Sequence, residues 1–138
     1  MYNNYVDLEC EVVRGCGEGA LYVKKDYYFS LLRSLLGLEP FPGTLNLNLI
    51  SPIKNYSELC SICKPSFKLE TIHLSSTRLG GVIAWYGLLM NIPCLIIRPM
   101  LSRHRANIIE VIASMNLRNK LKLKDGSRIK LRIFCSKS

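Results

Sequence analysis

The sequence predicts a mainly β fold of the α+β class, a small six-stranded β-barrel with one or two short helices, and three observations predict it. Stretches of strict apolar–polar alternation recur along the chain, the period of half-buried strands. Glycine, proline and asparagine cut the longest apolar run into strand-length pieces. One longer stretch, DYYFSLLRSLLG, carries the spacing of an amphipathic helix. That balance fits a small barrel better than an α/β sandwich.

The elements follow in order. From Val6, Val-Asp-Leu-Glu-Cys-Glu-Val alternates apolar and acidic residues and predicts a strand ending near Arg14, followed by a glycine-rich turn, Gly15 to Ala20. Asp26 is the expected N-cap of a short helix whose apolar face is Phe29, Leu32, Leu35 and Leu36 and whose stop is Gly37. After the Pro40-Phe41-Pro42-Gly43 turn, Thr44-Leu45-Asn46-Leu47-Asn48-Leu49 alternates most clearly, with leucines on one face and Thr44 and Asn46 together on the other. Ser51 to Pro65 reads as a loop or irregular insertion, and Phe67 to Leu74 as one further strand. VIAWYGLLM and CLIIRP form the two arms of a hairpin. A polar loop from Met100 to Asn107 leads to an apolar strand around Glu110, a helical turn at Leu117–Leu121, a turn at Lys124–Ser127 and a last strand, Arg128 to Phe134.

Length and composition bound the rest. A chain of 138 residues, 49% hydrophobic, is expected to form one domain, 1–138, with a core that needs no disulfide support. The balance of 19 Lys+Arg against 10 Asp+Glu, +9 at pH 7, favours anionic partners without choosing among nucleotides, nucleic acid and acidic membrane surfaces. The uncharged run Leu79 to Ile97 approaches bilayer-spanning length, but its Gly, Asn and Pro residues argue for a hairpin, so no membrane partner is expected. MYNNYVDLE has neither the basic start nor the apolar stretch of a signal peptide, and a cytoplasmic protein is expected. The six cysteines accordingly read as reduced, small hydrophobic residues, and Cys60-Ser-Ile-Cys63 as half of what a structural zinc site needs.

Several features carry chemistry. GCGEGA has no G-K-S/T ending and is not a P-loop, but its glycines would let backbone N–H groups approach phosphates. Thr44 and Asn46 offer neutral oxygen ligands suited to a magnesium ion that takes its charge balance from substrate phosphates, against the plainer reading of a solvated strand face. Glu110 stands alone among apolar neighbours, where a carboxylate needs hydrogen-bond donors or an exposed strand edge. Arg98, Arg103, Arg105, Arg118, Lys120, Lys122 and Lys124 form a basic cluster able to neutralise phosphates or simply to face water.

Taken together and in order, GCGEGA after the first strand, an aromatic-rich helix, PFPGTLNLNL and RPMLSRHRANIIEVIASMNLRNKLKLKDG resemble the archaeal CTP-dependent riboflavin kinases over nearly the whole chain. The resemblance implies a six-stranded cradle-loop barrel that transfers the γ-phosphoryl group of CTP to the 5′-hydroxyl of riboflavin, giving FMN and CDP. It further implies that Gly15, Cys16, Gly17, Glu18, Gly19 and Ala20 wrap the cytidine nucleotide, with Met115, Asn116, Leu117 and Arg118 completing its site. Thr44 and Asn46 would hold magnesium, Ser102 and Glu110 would contact the flavin, and Glu110 is the candidate for orienting the riboflavin hydroxyl or accepting its proton. Ser102 stands where the family usually has threonine, Ser114 where it has proline, and Ala20 where a basic residue is common. The expected partners are therefore small molecules, riboflavin/FMN and CTP/CDP, on a monomer.

A different class is the alternative. IEVIASMNLRNKLKLKDGSRIKL also resembles the strand, helical turn and D-G turn of swapped-hairpin DNA-binding regulators, and +9 of charge suits phosphates. Such proteins have no use for GCGEGA and GTLNLNL, so nucleic acid is not the expected partner. An inactive flavin- or nucleotide-binding relative lies between the two readings.

Overall fold

A computed structural model describes residues 4–15, 26–73, 75 and 78–137. Strands β1 (Asn4–Val13), β2 (Leu45–Ser51), β6 (Val82–Leu89), β7 (Ile92–Pro99), β8 (Ile108–Ile112) and β9 (Arg128–Cys135) run in the order β6-β7-β8-β2-β1-β9. Every neighbouring pair is antiparallel, and β9 pairs back onto β6 through Gly87↔Ile133 and Leu89↔Leu131, so the six strands close into the expected barrel. Closure removes free edges from these strands. The segment that resembled a swapped hairpin lies wholly within this barrel: β8 pairs with β2 and β7, and β9 with β1 and β6 of the same chain.

Alternation decides which side chains fill the barrel. Leu8, Cys10 and Val12 of β1, Leu45, Leu47 and Leu49 of β2, and Ile129, Leu131 and Ile133 of β9 are all buried in one cluster around Trp85. The apolar run from Leu79 forms β6 and β7, joined by Met90 and Asn91 at φ 49° and 67°, the left-handed pair of a tight hairpin turn. Among the described residues no helix is long and apolar enough to cross a membrane.

Helix α1 (Asp26–Leu36) is the amphipathic helix read from the sequence, with Asp26 as its first residue rather than its cap. Leu32, flanked by Phe29, Leu35 and Leu36, packs against Val82, Ala84, Leu95, Ile97 and Ile112, a second core on the outer face of β6, β7 and β8. Gly37 ends the helix at φ 76°, its N–H bonded to the Arg33 carbonyl.

The structure departs from expectation in three places. The segment read as an irregular insertion contains α2 (Tyr56–Ile62), capped by Asn55, whose Oδ1 accepts the Glu58 N–H at 2.8 Å, while Glu58 Oε1 accepts the N–H of Lys54, one residue before the cap, at 3.0 Å. The strand expected over Phe67–Leu74 is two: β3 (Phe67–Leu69) adds to the outer edge of β6, and β4 (Ile72–His73) pairs with β5 (Arg78–Leu79). Gly81 gives the reason, since a Cβ there would overlap the Leu69 carbonyl oxygen; the chain leaves the sheet where it crosses this glycine. Finally, Cys63 is bonded to Cys135 with Cα atoms 4.7 Å apart, so two of the six cysteines are not reduced. Burial pushes the thiols of Cys10 and Cys94 up to about 12, which leaves them as packing residues rather than nucleophiles.

Candidate active site

The site grows from the centre of the barrel sheet, where β2 runs between β1 and β8. Asn46 is paired in register with Val13 on one side and Glu110 on the other. Glu110 is 2% exposed, so the exposed-edge reading of this carboxylate fails; instead Thr44 Oγ1 donates to its Oε1 at 3.2 Å. Asn46 is also buried, at 7% exposure, and its Oδ1 has no hydrogen-bond partner among the described residues. A solvated strand face is therefore not what Thr44 and Asn46 form. Natural folds rarely leave a buried carboxamide oxygen unsatisfied, and such an atom points to a ligand.

Gly15, the first residue of the glycine-rich turn, lies against this group, because a Cβ added there would overlap Asn46 Nδ2. Any larger residue at this position would have to displace the Asn46 side chain. Cys16, Gly17, Glu18, Gly19 and Ala20 lie outside the described residues.

On the other side of Thr44 opens a cavity of about 190 Å³ lined by Phe41, Met115, Asn116, Leu117 and Arg118 as well as Thr44 itself. Two local features shape it. The Phe41 N–H bonds the Ala113 carbonyl at 2.8 Å and ties the turn before β2 to the end of β8. Asn116 caps α3 (Leu117–Lys120), its Oδ1 accepting the Asn119 N–H at 3.2 Å. Leu117 directs its side chain into the core and is 4% exposed. Arg118 is paired with Asp125 at 2.9 Å, a bond that uses one of five guanidinium donors.

The structure thus brings Thr44 and residues 115–118 together around one cavity, and Gly15, Asn46 and Glu110 together in a buried group beside it, joined to it by the Thr44 hydroxyl. Ser102 is not part of that lining. It lies on the loop of residues 100–107 between β7 and β8, where its Oγ accepts the His104 N–H at 3.1 Å. One further residue emerges that the sequence had not marked for the site. Phe41 supplies an aromatic wall 37% exposed, in a turn whose composition signals only turning. Arg98, read as one of a basic cluster, is in fact 7% exposed and bonds three loop carbonyls.

A partly apolar cavity beside the Thr44 hydroxyl, with a buried carboxylate and a buried carboxamide next to it, has the form of a small-molecule site, such as small-molecule phosphotransferases possess. The comparisons with known proteins give the family. The family model named for the CTP-dependent riboflavin kinases, described as Domain of unknown function DUF120, matches residues 12–133. The chain is 41% identical over 125 residues to the riboflavin kinase of Pyrococcus furiosus, covering 88% of this chain and 56% of that protein. It is 33% identical over 129 residues to the riboflavin kinase of Staphylothermus marinus, covering 94% and 92%. It spans little more than half the length of the first of these relatives and nearly all of the second. The chain belongs to the CTP-dependent riboflavin kinase family.

Proposed function

We propose that this chain transfers the γ-phosphoryl group of CTP to the 5′-hydroxyl of riboflavin, giving FMN and CDP, and that it does so in the cytoplasm as a single-domain monomer. The observation that carries the reading is Asn46: a buried carboxamide oxygen without a hydrogen-bond partner among the described residues, beside a buried carboxylate and against Gly15. The riboflavin kinase relatives support it.

The donor set fits a magnesium ion. Asn46 Oδ1 and Thr44 Oγ1 are neutral hard oxygens, which suit an ion that keeps part of its water and is balanced by substrate phosphates. These two residues would hold it, and when bound it would offset the charge on the transferring phosphates. The protein's own share is alignment. In this reading the triphosphate lies along the turn beginning at Gly15, with the cytidine toward Phe41 and residues 115–118. Ser102 and Glu110 hold the flavin's hydroxyl chain. Glu110, fixed by Thr44, orients the 5′-hydroxyl toward the phosphorus and takes its proton as the new bond forms. Phosphoryl transfer asks for little more covalent chemistry than this.

The test is incubation of the purified protein with riboflavin, magnesium and either CTP or ATP, followed by chromatographic separation of the flavins. FMN formed preferentially from CTP is the expected result. FMN from ATP alone discards the donor assignment, and no FMN from either nucleotide overturns the kinase reading.

A further inference from the structure

We infer that Arg98 is a positioning residue for the acceptor substrate, an inference that rests on the kinase reading above. Arg98 sits near the end of β7, and 7% of it is exposed. Nη1 donates to the carbonyls of Arg105 and Ile108, and Nη2 to that of His104, each at 2.8 Å. Its guanidinium lies 4.5 Å from the centroid of the Tyr56 ring at the start of α2. Burying a cation is costly unless its donors are satisfied, and here they are directed at the backbone of the loop between β7 and β8.

That loop has no ladder of its own. It is held from outside by the Tyr56 N–H on the Ala106 carbonyl at 2.9 Å, the Leu49 N–H on the Asn107 carbonyl at 2.8 Å, and Asn107 Nδ2 on Asn48 Oδ1 at 2.6 Å. From within it is gathered on Arg98. The consequence for substrate runs through His104, whose carbonyl accepts from Arg98 while its N–H donates to Ser102 Oγ. Arg98 therefore fixes the hydroxyl of the residue assigned to the flavin, whose Oγ serves as acceptor in the bond from His104 and so keeps its O–H as a donor. Lysine would keep the charge but not the planar fork that reaches several carbonyls at once.

The experiment measures KM for riboflavin and for CTP separately, with thermal melts, in the wild type, Arg98→Lys, Ser102→Ala and the double variant. Arg98→Lys is expected to raise the riboflavin KM about tenfold while the CTP KM stays within about twofold. The double variant should be no worse for riboflavin than the poorer single one, because both changes act through the same hydroxyl. A riboflavin KM within twofold of wild type, equal rises in both KM values, or fully multiplicative losses would each overturn the role of Arg98. If Arg98→Lys yields no folded protein, Tyr56→Leu removes the ring under the guanidinium and is read the same way, with a riboflavin-specific rise expected and its absence counting against the inference. A wild-type chain that makes no FMN overturns the kinase reading itself, which separates the two failures.

Discussion

A carboxamide oxygen buried without a partner costs about 1–3 kcal/mol relative to a satisfied one, and among the described residues Asn46 Oδ1 is such an atom. Removing the side chain should therefore leave folding almost untouched while disabling the site. Asn46→Ala is expected to melt within about 3 °C of the wild type and to lose about a hundredfold in kcat/KM. Gly15→Ala, whose new methyl would press on Asn46 Nδ2, should lose activity by displacing the same group. Equal activity in Asn46→Ala, measured by FMN formation at saturating magnesium, would remove the metal assignment. The sequence exposed half of this arrangement. Alternation along β2 put Thr44 and Asn46 on one face, because a strand's side-chain period is fixed. It did not reveal that Glu110 lies opposite Asn46, or that the face is buried, because both depend on the register between β2 and a strand more than sixty residues away.

Elements whose own residues determine them were legible, and those determined by distant neighbours were not. Helix α1 announced itself through Phe29, Leu32, Leu35 and Leu36 followed by Gly37, and the structure packs that apolar face on the outer face of β6, β7 and β8. Leu32 is fully buried there, so Leu32→Ala should cost about 2–5 kcal/mol, measured by denaturant unfolding. A loss below about 1 kcal/mol would mean that α1 is not anchored on β6, β7 and β8 as described. Helix α2 was missed although its signal is present, since Asn55 and Glu58 have capping-box spacing; the prolines, serines and cysteines around them outweighed it. The break between β3 and β4 has no local signal. It follows from Gly81 approaching the Leu69 carbonyl, a contact between segments that alternation cannot anticipate. The Cys63–Cys135 bond is of the same kind, joining residues 72 apart in sequence.

At the scale of the whole molecule, the six barrel strands were legible from period and punctuation, but the pairing that closes them, β9 onto β6, was not, because it joins the two ends of the strand order through non-local contacts. That closure matters for how the site responds to ligand. Gly15 follows β1, Thr44 immediately precedes β2 and Asn46 belongs to its start, Glu110 lies on β8, and residues 115–118 in the segment before β9, so a nucleotide seated among them bridges strands that are neighbours only in the folded barrel. A ligand that binds only the assembled site stabilises the entire fold by mass action, about 2.7 kcal/mol at a hundred times its Kd. For a chain of this size that corresponds to a rise in Tm of roughly 5–10 °C. Melts should therefore rise by that amount with CTP and magnesium, and by much less with CTP in chelator, since Asn46 and Thr44 would then face the phosphates without the ion that suits their oxygens. The same melt with ATP and magnesium should show little shift. An equal rise for ATP would mean that the cavity beside Phe41 and residues 115–118 does not select the base, and an equal rise in chelator would mean that Thr44 and Asn46 serve the triphosphate by hydrogen bonding alone.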